Sequence, residues 1–189
     1  MISTIHDLKE NIISTGAALE RNLAGCSQDE IFYLENKYGG SFPKSYREII
    51  SLIGYDAGYL IDDNQCHFFV DQMISIVDDL KECFEADRAE GKYSKPLPNK
   101  FWPVYTIYNE EIDFIYLNDG IDCSVYIYSA GDDPEIRIGW NSVWEWMDLV
   151  LKESIHNYKA SLLHKRRSEY IRIQEKCNAQ NITKISPTS

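Results

Sequence analysis

Apolar residues recur at helical spacing in five stretches of the chain and alternate with polar ones in a block between the last two. In residues 1–25, Ile5, Leu8, Ile12, Ala18 and Leu19 stand at roughly helical intervals, which predicts an N-terminal helix, read as packed on the core in preference to a free accessory arm. Ser27 and Glu30 form a capping box ahead of the next helix, whose apolar face is Ile31, Leu34 and Tyr38. Gly39 and Gly40 end that helix, and Pro43 opens another with Tyr46, Ile49, Ile50 and Ile53 on its inner face. Gly54 and Gly58 bracket the exit.

Residues 59–61 and 67–70 read as two short strands joined by the polar turn 62–65. Asp71 is the expected cap of a helix reaching about Arg88, with Met73, Ile76, Val77, Leu80 and Phe84 inward. Residues 91–99, broken by Pro96 and Pro98, predict a loop. Strands follow at 101–108, 113–117, 123–129 and 135–138, separated by the turn signals 118–120 and 131–133. Val125 and Ile127 point to one face, Tyr126 and Tyr128 to the other. Such short connections make an antiparallel meander.

Ser142 and Glu145 form a second capping box, before a helix whose apolar face is Val143, Trp144, Met147, Val150 and Leu151. It is expected to cover one side of the sheet. Trp140 and Trp144 would fix it there, and Trp146 is read as core or edge packing, with a contact anchor as the alternative. Helical pattern continues to about Lys176. The organisation predicted is an N-terminal accessory helix at 1–26, an α+β domain at 27–155, a basic helical extension at 156–177 and a disordered tail at 178–189.

The order of residues from 31 to 151 resembles the SUKH superfamily. The matching positions are Leu34, Glu35, Gly39, Pro43, Tyr46, Ile49, Ile50 and Gly58, then Gly139 and Trp140 with the helix after them. Phe42 stands where leucine is commoner, and Gly54 with Tyr55 where an Asn-Gly pair is often found. The resemblance implies a SUKH-like α+β fold, a mostly antiparallel sheet packed by N-terminal helices and a C-terminal helix. It also implies one of two roles: a bacterial immunity protein that neutralises a polymorphic toxin, often a nuclease, or a regulator of the fungal cell-wall type. A shared fold does not choose between them.

Charge adds a direction. The formal net charge is −11, but residues 156–189 hold seven Lys or Arg against two Asp or Glu. The remainder is therefore strongly acidic. Residues 101–136 hold eight acids and no base. Such a surface repels nucleic acid and attracts a basic partner. The candidate contacts, chosen by charge and turn position, are Asp62, Asp63, Glu110, Glu111, Asp113, Asp119, Asp122, Asp132 and Asp133. Solubility alone is the competing explanation of these acids. Tyr108 and Tyr116 would add contact area. The run Lys165, Arg166 and Arg167 suits a solvated helix end.

Signals for catalysis are weak. The histidines His6, His67, His156 and His164 fall in no nucleophile signature, and adjacent Cys66 and His67 on a strand would point to opposite faces. The acid pairs, such as Asp78 with Asp79, are read as solvent-facing, and no phosphate-binding glycine loop is present. Five widely spaced cysteines without a Cys-x-x-Cys pattern predict reduced thiols, neither a disulfide framework nor a zinc site. No apolar run is long enough to span a bilayer, and the first residues lack a signal-peptide pattern, so a cytoplasmic address is expected. The expectation is a non-enzymatic protein with no cofactor or metal that binds a cognate toxin, a basic nuclease domain. A regulatory interaction module is the alternative, and an enzyme with an unrecognised site the remote one.

Overall fold

The computed structural model describes residues 1–16, 18–60, 66–91, 100–107, 111–129 and 135–182, with side chains throughout except at Cys66, Cys83, Glu135 and beyond Lys165. Helix α1 (Ile5–Ser14) starts at Thr4, whose hydroxyl accepts from the Asp7 amide. Its Leu8 and Ile12 are fully buried in the main hydrophobic cluster, so this helix packs on the core. A single 3-10 turn (Glu20–Asn22) leads into β1 (Leu23–Ala24), which pairs antiparallel with β2 (Asp56–Ala57). This small ribbon had no counterpart in the hydrophobic pattern.

Helix α2 (Gln28–Tyr38) carries the expected capping box. The Glu30 amide donates to Ser27 Oγ at 3.3 Å, and the Ser27 amide donates to Glu30 Oε2 at 2.7 Å. Gly39, at φ +76°, ends it in the left-handed conformation that a side chain would strain. Helix α3 (Lys44–Ile53) buries Tyr46, Ile49, Ile50 and Ile53, and Pro43 stands one position ahead of it.

Two local expectations fail between β2 and the next helix. Tyr59 and Leu60 lie in a turn, and the strand expected at 67–70 shrinks to β3 (Cys66–His67). The chain coils early because Gln72 Oε1 accepts from the amides of Phe68 and Phe69, at 3.1 and 3.0 Å, which starts α4 (Val70–Ala89) at Val70. Asp71 therefore sits inside the first turn and is not its cap.

The sheet is an antiparallel meander in the order β3-β4-β5-β6-β7, with β4 at Phe101–Ile107, β5 at Glu111–Tyr116, β6 at Val125–Ser129 and β7 at Glu135–Trp140. Helix α5 (Val143–Ile182) follows, with the Glu145 amide on Ser142 Oγ at 2.9 Å. It runs past Lys176, into the residues expected to be a disordered tail. The protein is an α+β fold, and both faces of its sheet are covered. On one, Trp102, Ile115 and Val125 pack with Tyr46 and Ile49 of α3 and Val143, Trp146 and Met147 of α5. On the other, Phe101, Ile112, Phe114 and Tyr128 pack with Val77, Leu80 and Phe84 of α4.

Candidate partner-binding surface

One register row crosses all five strands at one end of the sheet. Cys66 pairs with Ile107, Ile107 with Glu111, Glu111 with Ser129, and Ser129 with Glu135. The connections 108–110 and 130–134 start and finish on this row, and 61–65 precedes Cys66 in sequence. Asp62, Asp63, Glu110, Asp132 and Asp133 belong to these segments and lie outside the described residues, as does Tyr108. The described neighbours of 108–110 and 130–134 stand on the row, and of those flanking 61–65 only Cys66 does. Register thus brings Glu111 and Glu135, acids of different strands, onto one row at one end of the sheet.

Glu111 and Asp113 carry that charge inward along β5. Glu111 is half-exposed, with Arg137 Nη2 at 3.8 Å from its carboxylate. Asp113 lies two positions on, on the face covered by α5, and it is buried. An exposed contact was expected at Asp113, and the structure corrects this: its Oδ2 accepts from the Trp146 indole at 2.9 Å. Burial pushes its pKa up to about 7, and the charges of Glu111 and Glu153 push the same way, while the Trp146 hydrogen bond and Arg137 oppose them. Arg137, Trp146 and Glu153 were not anticipated as neighbours of this group. A signal for Arg137 existed, since it is the one base between Lys100 and Lys152.

The other two candidates sit elsewhere. Asp119 and Asp122 belong to the connection between β5 and β6, at the opposite end of the sheet. Asp119 is exposed. Asp122 is half-buried, and its Oδ1 accepts from Ser45 Oγ at 2.7 Å, from its neighbour's amide at Cys123 at 2.9 Å and from the Val143 amide at 3.0 Å. That carboxylate joins the starts of α3 and α5. Tyr116 is half-buried among Phe114 and Tyr126, so its ring serves packing.

The positions that carried the family resemblance form a second, structural group. Leu34 is buried. Glu35 Oε1 accepts from the Phe42 amide and from Arg47 Nε, both at 2.7 Å, and so staples α2 to α3. Tyr46 accepts from the Trp102 indole at 2.8 Å in the core. The Gly58 amide donates to Asp56 Oδ1 in the turn after β2. Trp140 packs half-buried against the main cluster, and Trp146 is fully buried.

Nucleophile chemistry is disfavoured at the described thiols. Burial pushes Cys26 up to about 11 and Cys123 up to about 12, so both stay protonated at neutral pH. Among the described residues, no group of three or more His, Cys, Asp or Glu side chains could hold a metal ion, and no helix is long and apolar enough to cross a membrane.

Residues 25–149 match the model of the SMI1 / KNR4 family (SUKH-1). The chain belongs to this family. No curated protein and no solved structure matches it significantly. The match covers the sheet and the helices that pack on it, and the family supports an immunity or regulatory interaction domain.

Proposed function

We propose that this SUKH-1 chain is a non-enzymatic immunity protein that acts in the cytoplasm, binding a cognate toxin domain of basic, nuclease type and covering its active site. The observation that supports the reading is the register row that aligns Glu111 and Glu135 at the end of the sheet where the connections 108–110 and 130–134 start and finish. A nuclease is basic because it must hold phosphates, and an inhibitor must reach it before its substrate does. Opposed fields raise the encounter rate, and acids set close together on a surface strengthen such a field. The proposed contacts are Asp62, Asp63, Glu110, Glu111, Asp132 and Asp133. Asp113 supports them from inside, and Asp119 and Asp122 lie at the far end.

The test is co-expression with the toxin domain encoded next to it, followed by calorimetry. Survival with tight stoichiometric binding is the expected result. Charge reversal at Glu110, Glu111, Asp132 and Asp133 together should slow association and weaken the complex. Unchanged affinity would sink the site assignment, and absence of rescue would favour a regulatory interaction module of the same family.

A further inference from the structure

We infer that docking of the basic partner beside Glu111 drives a proton off Asp113, so that the complex tightens as pH rises toward neutrality. This rests on the immunity reading above and adds a regulation of the same surface. Tyr105, Asp113, Ile127 and Arg137 form one register row across β4 to β7, on the face where Trp146 sits. Asp113 is 5% exposed, and its Oδ2 accepts from the Trp146 indole. Glu111 stands two positions earlier on the same face and is half-exposed. Glu153 lies two helical turns beyond Trp146 on α5 and is exposed. Among the described residues, Glu111 and Glu153 act on Asp113 with like charge and Arg137 with opposite charge. From β4 and β6, Tyr105 and Ile127 are set beside it.

An ordinary exposed carboxyl has released its proton well below neutral pH and has none left to give when a cation arrives. Asp113 differs, since burial and its two acidic neighbours hold its proton to about pH 7. That burial is nearly complete in the free chain, so a docked partner adds little desolvation and acts on Asp113 through charge. A lysine or arginine of the partner paired with Glu111 cancels one like charge and sets a cation nearby. Both changes favour the carboxylate. The proton passes to buffer, and the carboxylate keeps the Trp146 indole as its donor. Proton and partner thus oppose each other, and the coupling is reciprocal. Affinity rises with pH through the window between the bound and free midpoints and levels off above about pH 7. Histidines of the partner would take protons up beside an acidic surface, so their signature has the opposite sign.

Calorimetry of the full chain with the toxin domain encoded next to it, at about pH 6.5 in buffers of different ionisation enthalpy, counts the protons exchanged. The expected result is release of about half a proton per complex and a roughly tenfold gain in affinity from about pH 5.5 to 8, for a midpoint moved by about one pH unit. Asp113→Asn should still bind, with the release abolished and the pH dependence flattened. A second arm needs no partner. Glu111→Lys places a cation beside Asp113, and carbon NMR of the Asp113 carboxyl should find its midpoint roughly one pH unit lower. Circular dichroism checks that both variants fold. A complex without proton release, or a release that survives Asp113→Asn, overturns this inference alone, as does a midpoint unmoved by Glu111→Lys. Absence of any complex overturns the immunity reading, and this inference with it.

Discussion

Trp146 donates its indole N–H to the buried carboxylate of Asp113 across 2.9 Å, tying α5 to the middle strand of the sheet. The carboxyl is kept from ionising until about pH 7, first by burial and then by Glu111 and Glu153, while the unfolded chain releases the proton near the ordinary value of 3.8. Between those two values the folded state binds more protons. This group therefore makes stability fall as pH rises through the window and level off above it. Asp113→Asn keeps an acceptor for the indole and removes the charge. Urea unfolding from pH 5 to 8 should show a flatter pH dependence in the variant and a gain of up to a few kcal/mol at pH 8.

Asp113 also shows what the sequence concealed. Ile112, Phe114 and Tyr116 alternate with it, so in a sheet covered on one face it would look outward. Here α4 covers one face and α3 with α5 the other, and the polar position is interior. Local pattern carries no information about a second covering layer. The helices themselves were legible because their caps and apolar faces are local: the capping box at Ser27, the left-handed Gly39, and the inner face of α4 from Met73 to Phe84. The ribbon of β1 and β2 was not legible, since two-residue strands show no period and pair across 32 and 34 positions. The alignment of Glu111 and Glu135 at one sheet end needed the register.

Glu35 gives a second prediction. Its carboxylate serves the Phe42 amide and Arg47 Nε together, largely shielded from solvent. Glu35→Ala leaves a part-buried amide without its acceptor and should cost about 2 kcal/mol. Glu35→Gln retains the amide contact and should cost less. Chemical denaturation of the three proteins side by side gives the comparison.

The two acids between β5 and β6 should separate cleanly. Asp122→Ala removes the acceptor shared by α3 and α5 and should lower stability by roughly 1–3 kcal/mol. Asp119 is exposed, and Asp119→Ala should stay within about 0.5 kcal/mol of wild type. Neither substitution should alter the rate at which a basic partner associates, because both lie away from the acidic end. A slowed association in Asp119→Ala would move the partner surface to this end.

Gly25 predicts a steric failure. A Cβ there would lie 1.9 Å from the Ser51 carbonyl oxygen of α3, a backbone atom that cannot swing aside. The Cys26 amide donates to Ile50 next to it at 2.8 Å, so the two backbones are already in contact. Gly25→Ala should destabilise by about 3 kcal/mol or prevent folding, by displacing α3 from the ribbon. Thermal melting and soluble yield measure it.

The register row at the acidic end has a consequence for how this protein changes over generations. The connections 108–110 and 130–134 join neighbouring strands whose spacing the sheet already fixes. Doubling the length of such a connection adds only about 0.6 kcal/mol of closure entropy. Mutation can therefore rewrite the length and charge of these segments while the helices and their staples stay as they are. A lineage facing a succession of altered partners could keep one scaffold and draw a new recognition surface each time.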